Sequence, residues 1–138
     1  MNIYYMIPQE LLDDGAIPTS QAGTAADDPA APQYFVEIVR EDGYSFYVQC
    51  LKEKGKRKGE VAAACKTGSA DWAQGDSYYF TNQVWICTEA MCDNCKAEQP
   101  EPAVRNGISN ACVKAMVQQC DAALVKARKL ADYHGFIK

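Results

Sequence analysis

Apolar and polar positions alternate most clearly between Tyr34 and Leu51, where YFVEIVR and YSFYVQCL flank the pair Asp42-Gly43. Asp-Gly between two runs of β-branched and aromatic residues is the strongest short-range hairpin signal. With a two-residue turn, Glu41 faces Tyr44, and the register continues to Val39 with Phe46, Ile38 with Tyr47 and Phe35 with Cys50. Phe35, Val39, Phe46 and Val48 then share one face, and Tyr34, Val36, Ile38 and Tyr47 share the other. A hairpin apolar on both faces needs cover on both. A C-terminal helix is one candidate cover, and a second sheet or another chain is the other.

Downstream, Glu60 to Lys66 and the aromatic run SYYFTNQVWIC from Ser77 to Cys87 read as further strands, separated by the loop KTGSADWAQGD. The pattern then changes period. Thr88 is a good N-cap with Glu89 in the first turn, which predicts a short helix to about Glu98, ended by Gln99-Pro100-Glu101-Pro102. Ile108, Cys112, Met116, Cys120, Leu124, Ala127 and Ala131 recur at steps of three and four, which predicts one long amphipathic helix to Tyr133, capped by Asn106 or Ser109 and closed by Gly135 at C′. The resulting expectation is an α+β fold: an antiparallel β-meander over residues 34–87, then a helical hairpin over 88–135.

Ahead of the hairpin stands a segment of different character. MNIYYMIP packs Ile3, Tyr4, Tyr5, Met6 and Ile7 together before Pro8, and DDGAIPTSQAGTAADDPAAPQ follows with little to bury. Residues 1–33 therefore read as an extended N-terminal arm whose apolar tip, Ile3 to Ile7, binds a neighbouring subunit; a plain flexible linker is the alternative. Residues 34–138 form the single domain, a size that suits the 138-residue chain.

Composition adds few constraints. The chain is 48% hydrophobic and 23% charged with a net charge of -4, which is ordinary for a globular protein and disfavours nucleic acid as partner. Its longest apolar runs are far too short for a membrane span. No secretory leader is visible at the N-terminus. The basic run Lys52, Lys54, Lys56, Arg57 and Lys58 lies between two glycines and reads as a solvated turn, with phosphate or an acidic partner as the functional alternative.

Cysteine changes the picture most. Five of the seven cysteines lie between Cys87 and Cys120, and Cys87 to Cys95 and Cys112 to Cys120 are both eight-residue steps about the Pro100–Pro102 turn. In a helical hairpin pivoting there, Cys87 faces Cys120 and Cys95 faces Cys112, giving a disulfide clasp, with Cys50–Cys65 as a third bridge and Cys92 free. Such bridges favour an oxidising compartment, extracellular or on a virion. The same residues admit a metal reading, because Cys87, Cys92 and Cys95 have the first three spacings of a plant-type ferredoxin, with Cys112 or Cys120 as fourth ligand. The loop between them lacks the small residues such a cluster needs, and one histidine in the chain gives zinc little support. Cys92-Asp93-Asn94-Cys95 is a candidate redox dithiol, opposed by Glu89 and Asp93 beside it.

Hydrolytic catalysis would have to use His134 near the C-terminus, the acid pairs Asp13-Asp14 and Asp27-Asp28 fall in the arm, and no nucleotide, zinc-protease, esterase or calcium-loop motif occurs. These readings favour a non-enzymatic structural or interaction subunit of a larger assembly, such as a virion or multisubunit complex, without a cofactor and with other protein subunits as partners. A small redox or metal protein is the second reading, and a secreted cysteine-rich binding protein or effector the third.

Overall fold

A computed structural model describes residues 2–20 and 30–137 of the chain, in an α+β arrangement. The expected hairpin is its centre: β3 (Gln33–Arg40) pairs antiparallel with β4 (Ser45–Cys50), and Gly43 takes a φ of +88° in the turn. Glu41 N–H donates to Tyr44 O across it at 2.9 Å. The register matches expectation at Val39–Phe46 and then slips, because a bulge between Glu37 and Val39 leaves Glu37 opposite Tyr47 and Phe35 opposite Gln49. One slipped residue exchanges faces. Phe46 and Val48 consequently join Tyr34, Val36 and Ile38 in one core, whereas Phe35 and Tyr47 belong to a second core on the reverse face.

The N-terminal segment is built into the sheet. β1 (Ile3–Met6) pairs with β3, and β2 (Ile17–Pro18) pairs with β8 (Trp85–Cys87), which itself pairs with β4. The strand order is β1-β3-β4-β8-β2, so residues expected to form an arm supply both edges. Between those edges, α1 (Pro8–Asp13) turns the chain, with proline in its first turn where a missing N–H costs nothing. Residues 21–29 of the expected arm, and Asp27-Asp28 with them, lie outside the described residues.

Helices cover both faces. On one side α3 (Glu89–Cys95) and α1 close a core of Met6, Leu11, Ala16, Phe35, Tyr47, Trp85, Cys87, Cys92 and Cys95. On the other, α4 (Asn110–Gln119) and α5 (Asp121–Tyr133) lay Val113, Met116, Cys120, Leu124, Ala127 and Ala131 against Val36, Phe46, Val48 and Ile86. Thr88 caps α3 by accepting from Met91 N–H, and Ser109 caps α4 by accepting from Cys112 N–H. The expected single long helix is two, broken at Cys120. A Schellman end closes α5: Gly135 at φ +79°, its N–H on Asp132 O and the Phe136 N–H on Ala131 O.

A side lobe completes the fold. β5 (Gly59–Val61) pairs with β7 (Ser77–Tyr79), β6 (Lys66–Thr67) pairs with β9 (Gly107–Ile108), and the loop between β6 and β7 contains the short helix α2 (Ala70–Ala73). Trp72, on α2, is buried and donates its indole N–H to Gly107 O at 2.9 Å. Gly68 at φ +123° lies against Asn106, a passage that leaves no room for a Cβ. Among the described residues no helix is long and apolar enough to cross a membrane.

Candidate functional site

Because α3 and α4 cover opposite faces, the sheet stands between the two halves of the expected cysteine clasp. Cys87 and Cys95 lie in one core and Cys120 in the other, and neither Cys87–Cys120 nor Cys95–Cys112 forms. The disulfide present is Cys65–Cys112, 47 residues apart in sequence. The β6–β9 ladder creates it by pairing Lys66 with Ile108, and Ser109 N–H donates to Cys65 O. By loop-closure entropy such a bridge contributes about 4 kcal/mol. Cys50, expected opposite Cys65, is a free buried thiol at the end of β4. The four-cysteine metal set is likewise divided: Cys87, Cys92 and Cys95 share a core, while Cys112 is spent in the disulfide. No group of three or more His, Cys, Asp or Glu among the described residues is arranged to hold a metal ion.

The five free thiols differ in character. Burial pushes Cys50 and Cys120 up to about 12, and burial together with Asp14 and Glu10 pushes Cys95 up to about 11. Cys92 moves the other way, lowered by its neighbours Cys87 and Tyr47 against the effect of burial. Cys87 is raised by burial and by its neighbour Cys92. At pH 7.5 a thiol at about 12 carries a thiolate fraction more than a thousandfold below that of an ordinary cysteine near ~8.5. Maleimide labelling of native protein is therefore expected to leave Cys50 and Cys120 unmodified, and unfolding without reductant to release five thiols in total; seven, or labelling of Cys50 in native protein, would contradict this packing.

In front of Tyr47 lies a cleft of about 310 Å³, bounded by β1, the β3–β4 turn and the start of α3. Its walls are Tyr4, Tyr44 and Tyr47, with Tyr4 edge-on to Tyr47 at 5.8 Å between centroids and Tyr44 edge-on to Phe46 at 5.6 Å. Glu37, 3% exposed, accepts from Ser45 Oγ at 2.7 Å, Arg40 Nη2 at 2.8 Å and Asn2 N–H at 3.3 Å. Burial alone would raise the Glu37 carboxyl, but the bonds from Arg40, Ser45 and Asn2 prevail and hold it below the usual range. Glu37 and Arg40 thus close on each other. Glu41 and Glu89 also line the cleft, and neither has an ion pair among the described residues.

The remaining sequence candidates sort out simply. Ile3, Tyr4, Tyr5 and Met6 face β3 opposite Val36, Phe35, Tyr34 and Gln33, and Ile7 N–H donates to Cys95 O, so this segment is spent inside the chain; Tyr4 alone of the five lines the tyrosine cleft. The basic run is split: Arg57 is buried over the Phe80 ring at 5.1 Å, while Lys52, Lys54, Lys56 and Lys58 are exposed. His134 is exposed at the end of α5 against Tyr133. Sequence reasoning passed over Glu37 and Arg40 as ordinary hairpin positions; the available signal was a lone Glu inside the apolar run YFVEIV.

Fold and site together define an α+β protein with a tyrosine-walled acidic cleft on one face of its sheet and a buried thiol cluster behind it. No family model, curated protein or solved structure matches the chain.

Proposed function

We propose that this chain is a non-enzymatic interaction subunit of a larger protein assembly, and that it seats a lysine or arginine side chain of its partner in the tyrosine cleft. The observation that carries this reading is the charge of the cleft: its one guanidinium is closed onto Glu37, which leaves Glu41 and Glu89 beside three tyrosines. A cation gains from aromatic faces as well as from carboxylates, and acidic potential over such a cleft speeds encounter with basic segments. The net charge of -4 acts in the same direction over longer range. The Cys65–Cys112 bridge fits a working place in an oxidising compartment.

Calorimetry with a lysine- and arginine-containing peptide and a glutamate-containing peptide of equal length tests the reading. Binding of the basic peptide alone is expected, weakened by salt, and the Glu41→Gln/Glu89→Gln double variant should reduce its affinity about 3- to 10-fold, as two rim charges warrant. Equal affinity for both peptides, no binding of either, or an unaffected double variant would count against it.

A further inference from the structure

Opposite charges collect at the two ends of one strand. β4 begins at Ser45, beside the tyrosine cleft and the β3–β4 turn, and ends at Cys50, where the chain enters the basic run from Lys52 to Lys58. Its six extended residues hold the two ends about 20 Å apart. At the first end Glu41 and Glu89 line the cleft, and Asp42 is exposed at the tip of the turn. Arg40, the cation there, is taken up by Glu37.

The basic end is a built loop. Arg57 anchors it: the buried guanidinium lies over the Phe80 ring, Nη1 donates to Glu53 O at 2.9 Å, and the backbone N–H donates to Lys54 O at 2.9 Å, with Gly55 at φ +49° between them. With Arg57 held inward, Lys54, Lys56 and Lys58 are exposed, and none of the three has an ion pair among the described residues. Lys52 closes onto Asp71 and takes no part. Lys56 and Lys58 line a recess of about 420 Å³ together with Phe80, Thr81 and Asn82. From Lys52 to Glu60 five cations outnumber two acids, Glu53 and Glu60, in a chain whose net charge is -4.

We propose that the side chain received by the tyrosine cleft is a lysine from this loop on a second copy of the chain, so that copies join head to tail. This rests on the reading that the cleft takes a basic side chain, and it names the source of that side chain. The two surfaces are complementary in charge. Because they stand at opposite ends of β4, one chain cannot close them on each other, and a copy that has used one surface still offers the other. A contact between two unlike surfaces is heterologous: it closes into a ring where the rotation between copies completes a turn, and it runs on as a filament where it does not. Exposed charges on both sides make the contact sensitive to salt and set its partner and orientation more than its strength.

Light scattering on the full chain with Cys65–Cys112 intact tests this. Wild-type mass should rise with concentration at low salt and fall to that of the monomer at high salt. Two charge-reversed variants locate the contact, Lys54→Glu/Lys56→Glu/Lys58→Glu in the loop and Glu41→Lys/Glu89→Lys in the cleft. Like charges then face each other, so each variant alone should self-associate about tenfold more weakly or worse. An equimolar mixture should associate again, because each variant offers the other an opposite surface. Should a reversal unfold the chain, as circular dichroism would show, glutamine at the same positions neutralises the surface instead and must still weaken association. A wild-type chain that stays monomeric at low salt and millimolar concentration, a loop variant that associates as wild type does, or a mixture no heavier than its components would overturn head-to-tail joining. Calorimetry with the basic peptide keeps the two readings apart: a monomer whose cleft still binds the peptide retires the self-contact alone, and a cleft that binds no peptide retires both.

Discussion

Deleting residues 2–7 is expected to unfold this protein, whereas removing a docking arm would leave its stability unchanged. β1 completes the sheet beside β3, and the chain after α3 holds its outer edge through Ala97 N–H on Tyr5 O at 2.7 Å and Ile7 N–H on Cys95 O. Met6, fully buried, stands among Leu11, Phe35, Tyr47 and Cys92. Truncating one such side chain to alanine costs about 2–5 kcal/mol, so Met6→Ala should lower the urea midpoint by that measure. The deletion removes that side chain, the half-buried Tyr4 and Tyr5, and a whole ladder of hydrogen bonds. A loss of that size is comparable with the ~5–15 kcal/mol stability of an ordinary domain. Circular dichroism of the deletion variant checks it: a retained cooperative transition with an unchanged midpoint, or a Met6→Ala effect below about 0.5 kcal/mol, would return the segment to the status of an arm.

That segment marks where sequence reasoning stops. Turns and caps were legible because they depend on neighbours in the chain: Asp42-Gly43 turns the hairpin, Thr88 and Ser109 cap helices, and Gly135 ends α5. The stickiness of Ile3 to Ile7 was legible too, but what it sticks to is a long-range pairing with Gln33–Val36 that no local pattern encodes. The bulge at Glu37–Val39 has no glycine to announce it, and it alone exchanged the faces of the hairpin. The cysteine spacing is symmetric in sequence, yet the symmetry assumed that the helices around Pro100–Pro102 stack on each other. Instead the chain crosses from one face of the sheet to the other there, and a two-residue ladder far upstream carries Cys65 to Cys112. At Cys120, where one helix became two, neither glycine nor proline interrupts the pattern.

Lys66→Met is the second variant with a large expected effect, because Lys66 is a buried cation that organises the lobe around the disulfide. The side chain is 7% exposed, and its ammonium donates to Trp72 O and Gly75 O at 3.0 Å and to Ser77 Oγ. It also lies 4.5 Å from the centre of the Trp72 ring. Three donors meet three acceptors, so the segment from α2 to β7 is tied to one atom. Methionine keeps the length of the stem and strips those acceptors of their partners. Each buried acceptor left unmet costs about 1–3 kcal/mol, against which the variant recovers the desolvation of a charge. The net expectation is a loss of about 2–4 kcal/mol in urea unfolding at pH 7. The pH dependence separates this cause from simple misfit. Burial holds the Lys66 ammonium below the ordinary lysine range, so between its folded value and ~10.4 the unfolded chain binds a proton that the folded chain has shed, and stability rises with pH across that window. Lys66→Met lacks this proton, and the gap between the two proteins should widen towards alkaline pH. A gap constant from pH 7 to 10.5 would mean that burial does not lower the Lys66 ammonium, and a variant as stable as wild type would mean that Lys66 does not hold the lobe.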